Sequence, residues 1–209
     1  LDIVVAPEFL RQYSMCGDPA DSSCYEIAVS VEFEGRGGSK LMHRIFERGR
    51  SVFVSKPINH FELDSSARLS LLFGGGIGVT PMIAFAHQLD HAGRDFRLMY
   101  SSSTQNTAAF DSDVTAHPWA EKASKHYSDQ GARLDIASAV PTYELSIHIY
   151  VCGPDAYMRT ILDHARSLGY PDEALHAEFF AVPDTPDWVN LPFEIERSNG
   201  QRLTVRADQ

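Results

Sequence analysis

Cysteine is scarce in this chain. Its 209 residues hold three, Cys16, Cys24 and Cys152. Three thiols without paired spacing are too few for a disulfide scaffold and do not form a zinc motif, so no metal site is expected. Such thiols suit the cytoplasm, where they stay reduced. Long apolar runs are also missing, and the N-terminus carries no signal-peptide pattern, so no membrane partner is expected. Positive charge is in the minority, with 18 Lys and Arg against 28 Asp and Glu and a formal net charge of −10. An acidic surface of this kind argues against nucleic acid or anionic lipid as the main partner. It leaves phosphate binding open, because local loops and helix ends do that work. Histidine is scattered: His43, His60, His87, His91 and His164 read as solvated or packed side chains. What remains is an ordinary globular composition, 44% hydrophobic and 22% charged, with enough apolar side chains for a sizeable core.

Three regions can be distinguished. In residues 1–66, short strand-like runs (Ile3 to Val5, Tyr25 to Val31, Ser51 to Val54) alternate with polar turns and predict an antiparallel sheet or barrel. One helix interrupts it, with Ser39 as its cap, Leu41, Met42, Ile45 and Phe46 on its apolar face and Gly49 as its stop. Residues 67–183 alternate strands and helices, which predicts a parallel sheet covered on both faces. Strands are expected at Leu69 to Phe73, Phe96 to Tyr100, Leu134 to Val140, His148 to Cys152 and Leu175 to Phe180. Helices are expected through Ile83 and Leu89 and from Asp155 to Ser167. The acidic residues around Asp111 and Asp113 read as an exposed helix start. Residues 184–209 begin with a Pro/Asp-rich linker. The alternating flanks of Asn199-Gly200 then predict a hairpin over Phe193 to Ala207. A lone hairpin is marginal in water, so it reads as the opening of a further domain.

Four segments carry chemistry. In the first, Phe73-Gly74-Gly75-Gly76-Ile77-Gly78-Val79-Thr80-Pro81 runs from a buried strand through glycines into a helix. Glycines let the backbone approach a pyrophosphate, and the helix start offers N–H donors and partial positive charge. Thr80 suits the helix cap and Pro81 the first helical position. In the second, Cys152-Gly153-Pro154 ends a strand on the same carboxyl edge, where open parallel sheets bind ligands. Taken alone, it reads first as a buried small residue before a turn. In the third, Arg11-Gln12-Tyr13-Ser14 could serve a flat anionic ligand with a charge, a ring and a hydroxyl, although by themselves these residues read first as a strand of alternating exposure. In the fourth, Gly35-Arg36-Gly37-Gly38-Ser39 leads into a helix and fits either a second anion site or a flexible hairpin loop.

Taken in order, these segments resemble the ferredoxin–NADP reductase superfamily, and within it the phthalate dioxygenase reductase group, which includes vanillate demethylase reductases. Tyr25 to Val29, Pro57-Ile58-Asn59-His60-Phe61 and Glu178-Phe179-Phe180 extend the resemblance over essentially the whole chain. It implies that residues 1–66 form an FMN-binding β-barrel, 67–183 an α/β NAD-binding domain and 184–209 a linker with the first hairpin of a [2Fe–2S] ferredoxin domain of β-grasp type. It implies that Arg11 pairs with the flavin phosphate, with Gln12 beside it, that Tyr13 lies against the isoalloxazine and that Ser14 bonds its reactive edge. Ala28, Val29 and Ser30 would line the ring, and Arg36, Gly37, Gly38 and Ser39 would hold the phosphate. Gly75, Gly76, Ile77, Gly78, Thr80 and Pro81 would bind NADH, with Cys152, Gly153 and Pro154 near the nicotinamide. Phe180 would shield the flavin. Ser14, Cys152 and Phe180 are then the residues nearest the reaction. The implied activity is hydride transfer from NADH to FMN, then single-electron transfer through a [2Fe–2S] centre to a terminal oxygenase. The cluster's four-cysteine pattern is absent from these residues, and the barrel strands that usually precede Arg11 are mostly missing. The alternatives are an FAD-dependent ferredoxin or flavodoxin reductase, and a nucleotide-binding regulatory subunit without turnover.

Overall fold

The computed structural model describes residues 1–6, 9–32 and 37–180, and the backbone of the strands Phe193–Glu196 and Arg202–Val205. Arg36, the linker after Phe180 and the Asn199-Gly200 turn lie outside the described residues.

The first region is built on a three-stranded antiparallel sheet. β1 (Asp2–Ala6) pairs on one side with β2 (Phe9–Gln12) and on the other, after α1 (Gly38–Ile45), with β3 (Phe53–Val54). β1 shows the period-two pattern expected of a strand: Ile3 and Val5 are buried and Val4 is exposed. The buried pair packs on Met42 of α1, with Tyr13, Ile27 and Val29 around it. Residues 25–31 do not form the expected strand. They contribute one antiparallel bridge, Met15 to Ile27.

Helix α1 also starts differently from the expectation. Its N-cap is Gly37, at φ 86°, and no side chain caps it. A left-handed φ is cheap only for glycine, which is why the turn sits there. Ser39 lies inside the first turn, and its Oγ accepts the Glu32 N–H at 3.0 Å.

The second region is a five-stranded sheet in the order β6-β5-β4-β7-β8, parallel throughout. Its strands are β4 (Leu69–Gly75), β5 (Asp95–Ser102), β6 (Ala123–Tyr127), β7 (Ile147–Cys152) and β8 (Leu175–Glu178). Helix α2 (Val79–His91) covers one face and α5 (Asp155–Ser167) the other. Central β4 is therefore apolar on both sides. Leu71, Leu72 and Phe73 are fully buried, each such side chain stabilising the fold by roughly 1.5–3 kcal/mol.

The third strand in sequence is Ala123–Tyr127 rather than Leu134 to Val140. Inside the latter run, Asp135 accepts the N–H groups of Ala137 and Ser138 and caps the short helix α4 (Ile136–Ala139). Helix α3 (Asp111–Ala116) begins at the acidic residues as expected. Asp111 is more than an exposed helix start, however. It accepts from Tyr127 Oη, from Gln105 at 2.9 Å and from Lys125 at 2.7 Å, which holds its carboxyl down at about 2.

The two regions share one core. Cys16 and Phe61 from the first are buried with Leu72, Phe85, Tyr150 and Cys152 of the second. Strands β9 (Phe193–Glu196) and β10 (Arg202–Val205) pair antiparallel, which is the hairpin expected from the sequence. Among the described residues, no helix is long and apolar enough to cross a membrane.

Candidate functional site

The sheet order reverses beside β4. The chain moves from β4 outward to β5 and β6, then returns to the other side of β4 as β7. A crevice outside the carboxyl ends of the strands is the expected ligand site at such a switch point. Both loops singled out in the sequence end there, residues 75–78 after β4 and 152–154 after β7.

These loops touch through their backbones. A Cβ on Gly78 would lie 2.4 Å from the Cys152 carbonyl oxygen, and one on Gly153 would lie 2.9 Å from Gly75 Cα. No side chain fits between them, which explains the glycines. Gly76 has φ 56°, the turn that carries the chain into Ile77 and α2. Helix α2 begins at Val79 with Gly78 as N-cap, so Thr80 and Pro81 stand in its first turn. Instead of capping, Thr80 donates its hydroxyl to Ile77 O at 3.0 Å. The Val79 N–H is already held by Gly76 O and Ile77 O and Pro81 has none, so the anion-binding character of this edge comes from the positive end of the α2 dipole and the close approach that the glycines allow.

Cys152 ends β7 fully buried, in register with Gly74 on one side and Glu178 on the other. Burial, reinforced by the Glu178 carboxylate, pushes its thiol well above the ordinary cysteine value. Cys152 is therefore held as a protonated thiol packed in the core, with no exposed sulfur at the crevice.

Segment 11–14 reaches this edge through Ser14. Arg11 pairs in register with Ile3, on the face that packs on α1. Its guanidinium lies over the helix start, since a Cβ on Gly38 would be 2.6 Å from Arg11 Nε. One arginine and one helix N-terminus, which no side chain caps among the described residues, thus converge on the same point, a geometry suited to a phosphate. The Tyr13 phenol is raised by burial and opposed by Arg11. Ser14 donates to Glu178 Oε2 at 2.7 Å, joining the first region to the last parallel strand. Gln12 is exposed, Ala28 and Val29 are half-buried and Ser30 is exposed. His43 Nε2 meets Val29 O at 2.8 Å. Phe180 follows β8, about half exposed.

Sequence reasoning gave no role to Glu178, Tyr157 or Asp129. Glu178 was visible only as part of a motif. Asp129 follows β6, and its N–H donates to Ser103 O at 3.1 Å, fixing it beside the loop after β5. Its signal was lost because β6 itself was not recognised. Among the described residues, no group of three or more His, Cys, Asp and Glu side chains could hold a metal ion.

No protein-family model matches the chain. Sequence relatives are nevertheless clear. The vanillate O-demethylase oxidoreductase of Pseudomonas putida is 35% identical over the whole chain, which covers 67% of that protein. The carnitine monooxygenase reductase subunit of Escherichia coli K12 is 37% identical over 85% of the chain, covering 55% of that protein. The solved structure of phthalate dioxygenase reductase superposes on all of the chain with a TM-score of 0.81 and 32% identity, covering 65% of that protein. The chain belongs to the phthalate dioxygenase reductase group of the ferredoxin–NADP reductase superfamily. It spans 55% and 67% of the lengths of the two curated relatives. The reductase core described above accounts for that shared span: a flavin-type segment on an antiparallel sheet, followed by a nucleotide-type parallel sheet. Flavin, NADH and a [2Fe–2S] centre are the cofactors of this group. Its members serve as reductase components of oxygenase systems.

Proposed function

We propose that this chain is the flavin- and nicotinamide-binding core of the reductase component of a Rieske-type aromatic-ring oxygenase or demethylase. The bound flavin would supply the chemistry, accepting hydride from NADH and releasing single electrons through a [2Fe–2S] centre to the terminal oxygenase. The observation that carries this reading is the Ser14–Glu178 hydrogen bond. It sets the flavin-type segment directly against the carboxyl edge where the dinucleotide loops meet.

The chain's own residues have separable tasks. The Gly75–Gly78 loop and the start of α2 bind the pyrophosphate, and Cys152, Gly153 and Pro154 wall the nicotinamide slot. Small displacements in such a slot are costly in rate. Tyr13 and residues 28–30 would flank the isoalloxazine, Ser14 would hydrogen-bond its reactive edge, and Phe180 would cover the ring until nicotinamide displaces it. No side chain need act as a general base.

The flavin is FMN in this proposal. Arg11 over the Gly38 helix start favours a terminal phosphate, with Gly37 and Ser39 beside it, and Arg36, outside the described residues, is assigned to the same phosphate from the sequence alone. NADH is preferred over NADPH. The loop Ser101 to Asn106 carries no Arg or Lys for a 2′-phosphate, and Asp129 beside it suits a ribose hydroxyl. The unpaired thiols fit a cytoplasmic protein. The proposed domains are 1–66 for FMN, 67–183 for NAD and 184–209 for the entry to the iron–sulfur domain.

Anaerobic NADH titration of the flavin-loaded protein is the test. The flavin absorbance should bleach, released flavin should have the mass of FMN, and kcat/KM should favour NADH over NADPH. Flavin that stays oxidised under NADH would leave only a regulatory nucleotide-binding role.

A further inference from the structure

The dinucleotide edge rests on a side chain that the reading above leaves without a task. Tyr157 sits in the first turn of α5, three residues beyond Pro154. Its ring lies directly against the glycine loop. A Cβ on Gly75 would come within 2.9 Å of Tyr157 Cδ1 and 3.0 Å of Pro154 Cδ. Its hydroxyl crosses to β5 and donates to Ser101 Oγ at 3.3 Å. Ser101 is the register partner of Gly75, so ring and hydroxyl of one residue touch two adjacent strand ends.

Filling the space beneath Gly75 requires only an aromatic ring, and phenylalanine would do that equally well. The phenol adds a polar atom that must find a partner once buried. Burial pushes the Tyr157 pKa far up, so this hydroxyl remains a proton donor. Ser101 Oγ, by accepting that proton, keeps its own for another acceptor. Among the described residues nothing receives it, and Ser101 is only half-buried. A hydroxyl with its acceptor side occupied and its proton unassigned, at the strand end beside a phosphate-type loop, is poised to donate to a ligand oxygen.

We infer that Tyr157 and Ser101 form a positioning pair for the dinucleotide. Tyr157 sets the height of Gly75 and orients the Ser101 hydroxyl, and Ser101 donates to an oxygen of the phosphate–ribose chain as the ligand passes from β4 to β5. The inference rests on the nucleotide-binding reading proposed above. It adds a residue of α5 to a site otherwise built from loops.

Two variants test it in the flavin-loaded protein. Tyr157→Phe keeps the ring and removes the hydroxyl, and Ser101→Ala removes the hydroxyl it orients. Each should raise the calorimetric Kd for NAD+ and the KM for NADH by about 2- to 12-fold, the worth of a neutral hydrogen bond. In both, kcat at saturating NADH should fall by less than about twofold, the signature of lost uniform binding. The double variant should be little worse than the poorer single, because the two act as one unit. A Tyr157→Phe protein with wild-type Kd and KM overturns the pair, as do effects of the two substitutions that simply add. Wild-type protein that binds neither NAD+ nor NADH sinks the nucleotide-binding reading along with the pair, so the two failures are distinguishable.

Discussion

Ser14 Oγ and Glu178 Oε2 lie 2.7 Å apart across a sequence separation of 164 residues. One belongs to the flavin-type segment, and the other closes the parallel sheet two residues before Phe180. The carboxylate that accepts from Ser14 also neighbours Cys152 in register. The three side chains nearest the proposed reaction are therefore set by a single strand, β8, and its contacts.

Ser14→Ala should slow flavin reduction at saturating NADH while leaving flavin content intact. The hydroxyl would turn from Glu178 to the flavin edge, where a neutral hydrogen bond is worth roughly 0.5–1.5 kcal/mol, or about 2- to 12-fold in rate if all of it is used in the transition state. Stopped-flow reduction checks this. A rate within twofold of wild type would reduce the contact to interdomain packing.

Arg11→Ala should weaken flavin binding by a similar factor, about 10- to 150-fold, with little change in Tm. Gly38→Ala should copy the effect from the opposite side, because the added methyl would occupy the space of the guanidinium, 2.6 Å from Arg11 Nε. Flavin titration of the apoprotein measures both. An unchanged dissociation constant in either variant removes that residue from the phosphate site.

Thiol chemistry should single out Cys24. It is exposed, whereas Cys16 is buried and raised to about 11, chiefly by burial and then by Glu26. Cys152 is buried and raised further. Iodoacetamide on the native protein near pH 8 should therefore alkylate Cys24 alone, as read by peptide mass spectrometry. Cys152→Ala should slow flavin reduction more than Cys152→Ser, since the slot needs its volume and not its sulfur.

Acid should destabilise the fold through a histidine pair. His148 Nδ1 and His176 Nε2 are 3.0 Å apart, and His176 stacks on Tyr150. One ring must donate and the other accept, so the bond cannot survive with both rings charged. Burial, then His148, lowers the His176 pKa from 6.5. The unfolded chain takes up its proton near 6.5, while the folded chain resists it. Stability should thus be intact above about pH 7 and fall as pH drops below 6.5. His176 lines an open cleft of about 510 Å3 with residues 59–64, so water reaches the pair. Thermal melts from pH 7.5 to 5 measure the loss. His176→Phe should flatten that slope, and an equally steep slope in the variant would absolve the pair.

The glycine loop, both long helices and four of the five parallel strands were legible because each carries a local signal. Leu71 to Phe73 is an unbroken apolar run, and α5 repeats its buried side chains at helical spacing. Strand β6 was not legible. Ala-Ser-Lys-His-Tyr has one strongly strand-forming residue, and its pairing with β5 is a tertiary fact. Missing β6 also concealed Asp129 and moved the third strand onto Leu134 to Val140, where Asp135 caps a helix. Ser39 and Thr80 look like caps by type. Each instead finds a nearer backbone partner, Glu32 N–H and Ile77 O, and glycine takes the cap position. The Ser14–Glu178 and Tyr157–Ser101 contacts are invisible to any local pattern, because each joins residues far apart in the chain.

The fit of Gly78 against the Cys152 carbonyl bears on engineering. A graft of residues 74–78 from another reductase would import a backbone path shaped to its own partner turn, and a mismatch of half an ångström would meet carbonyl rather than a yielding side chain. Attempts to retune the coenzyme by exchanging one loop should therefore yield poorly folded hybrids, whereas moving 74–78 together with 152–157 transplants a self-consistent cassette.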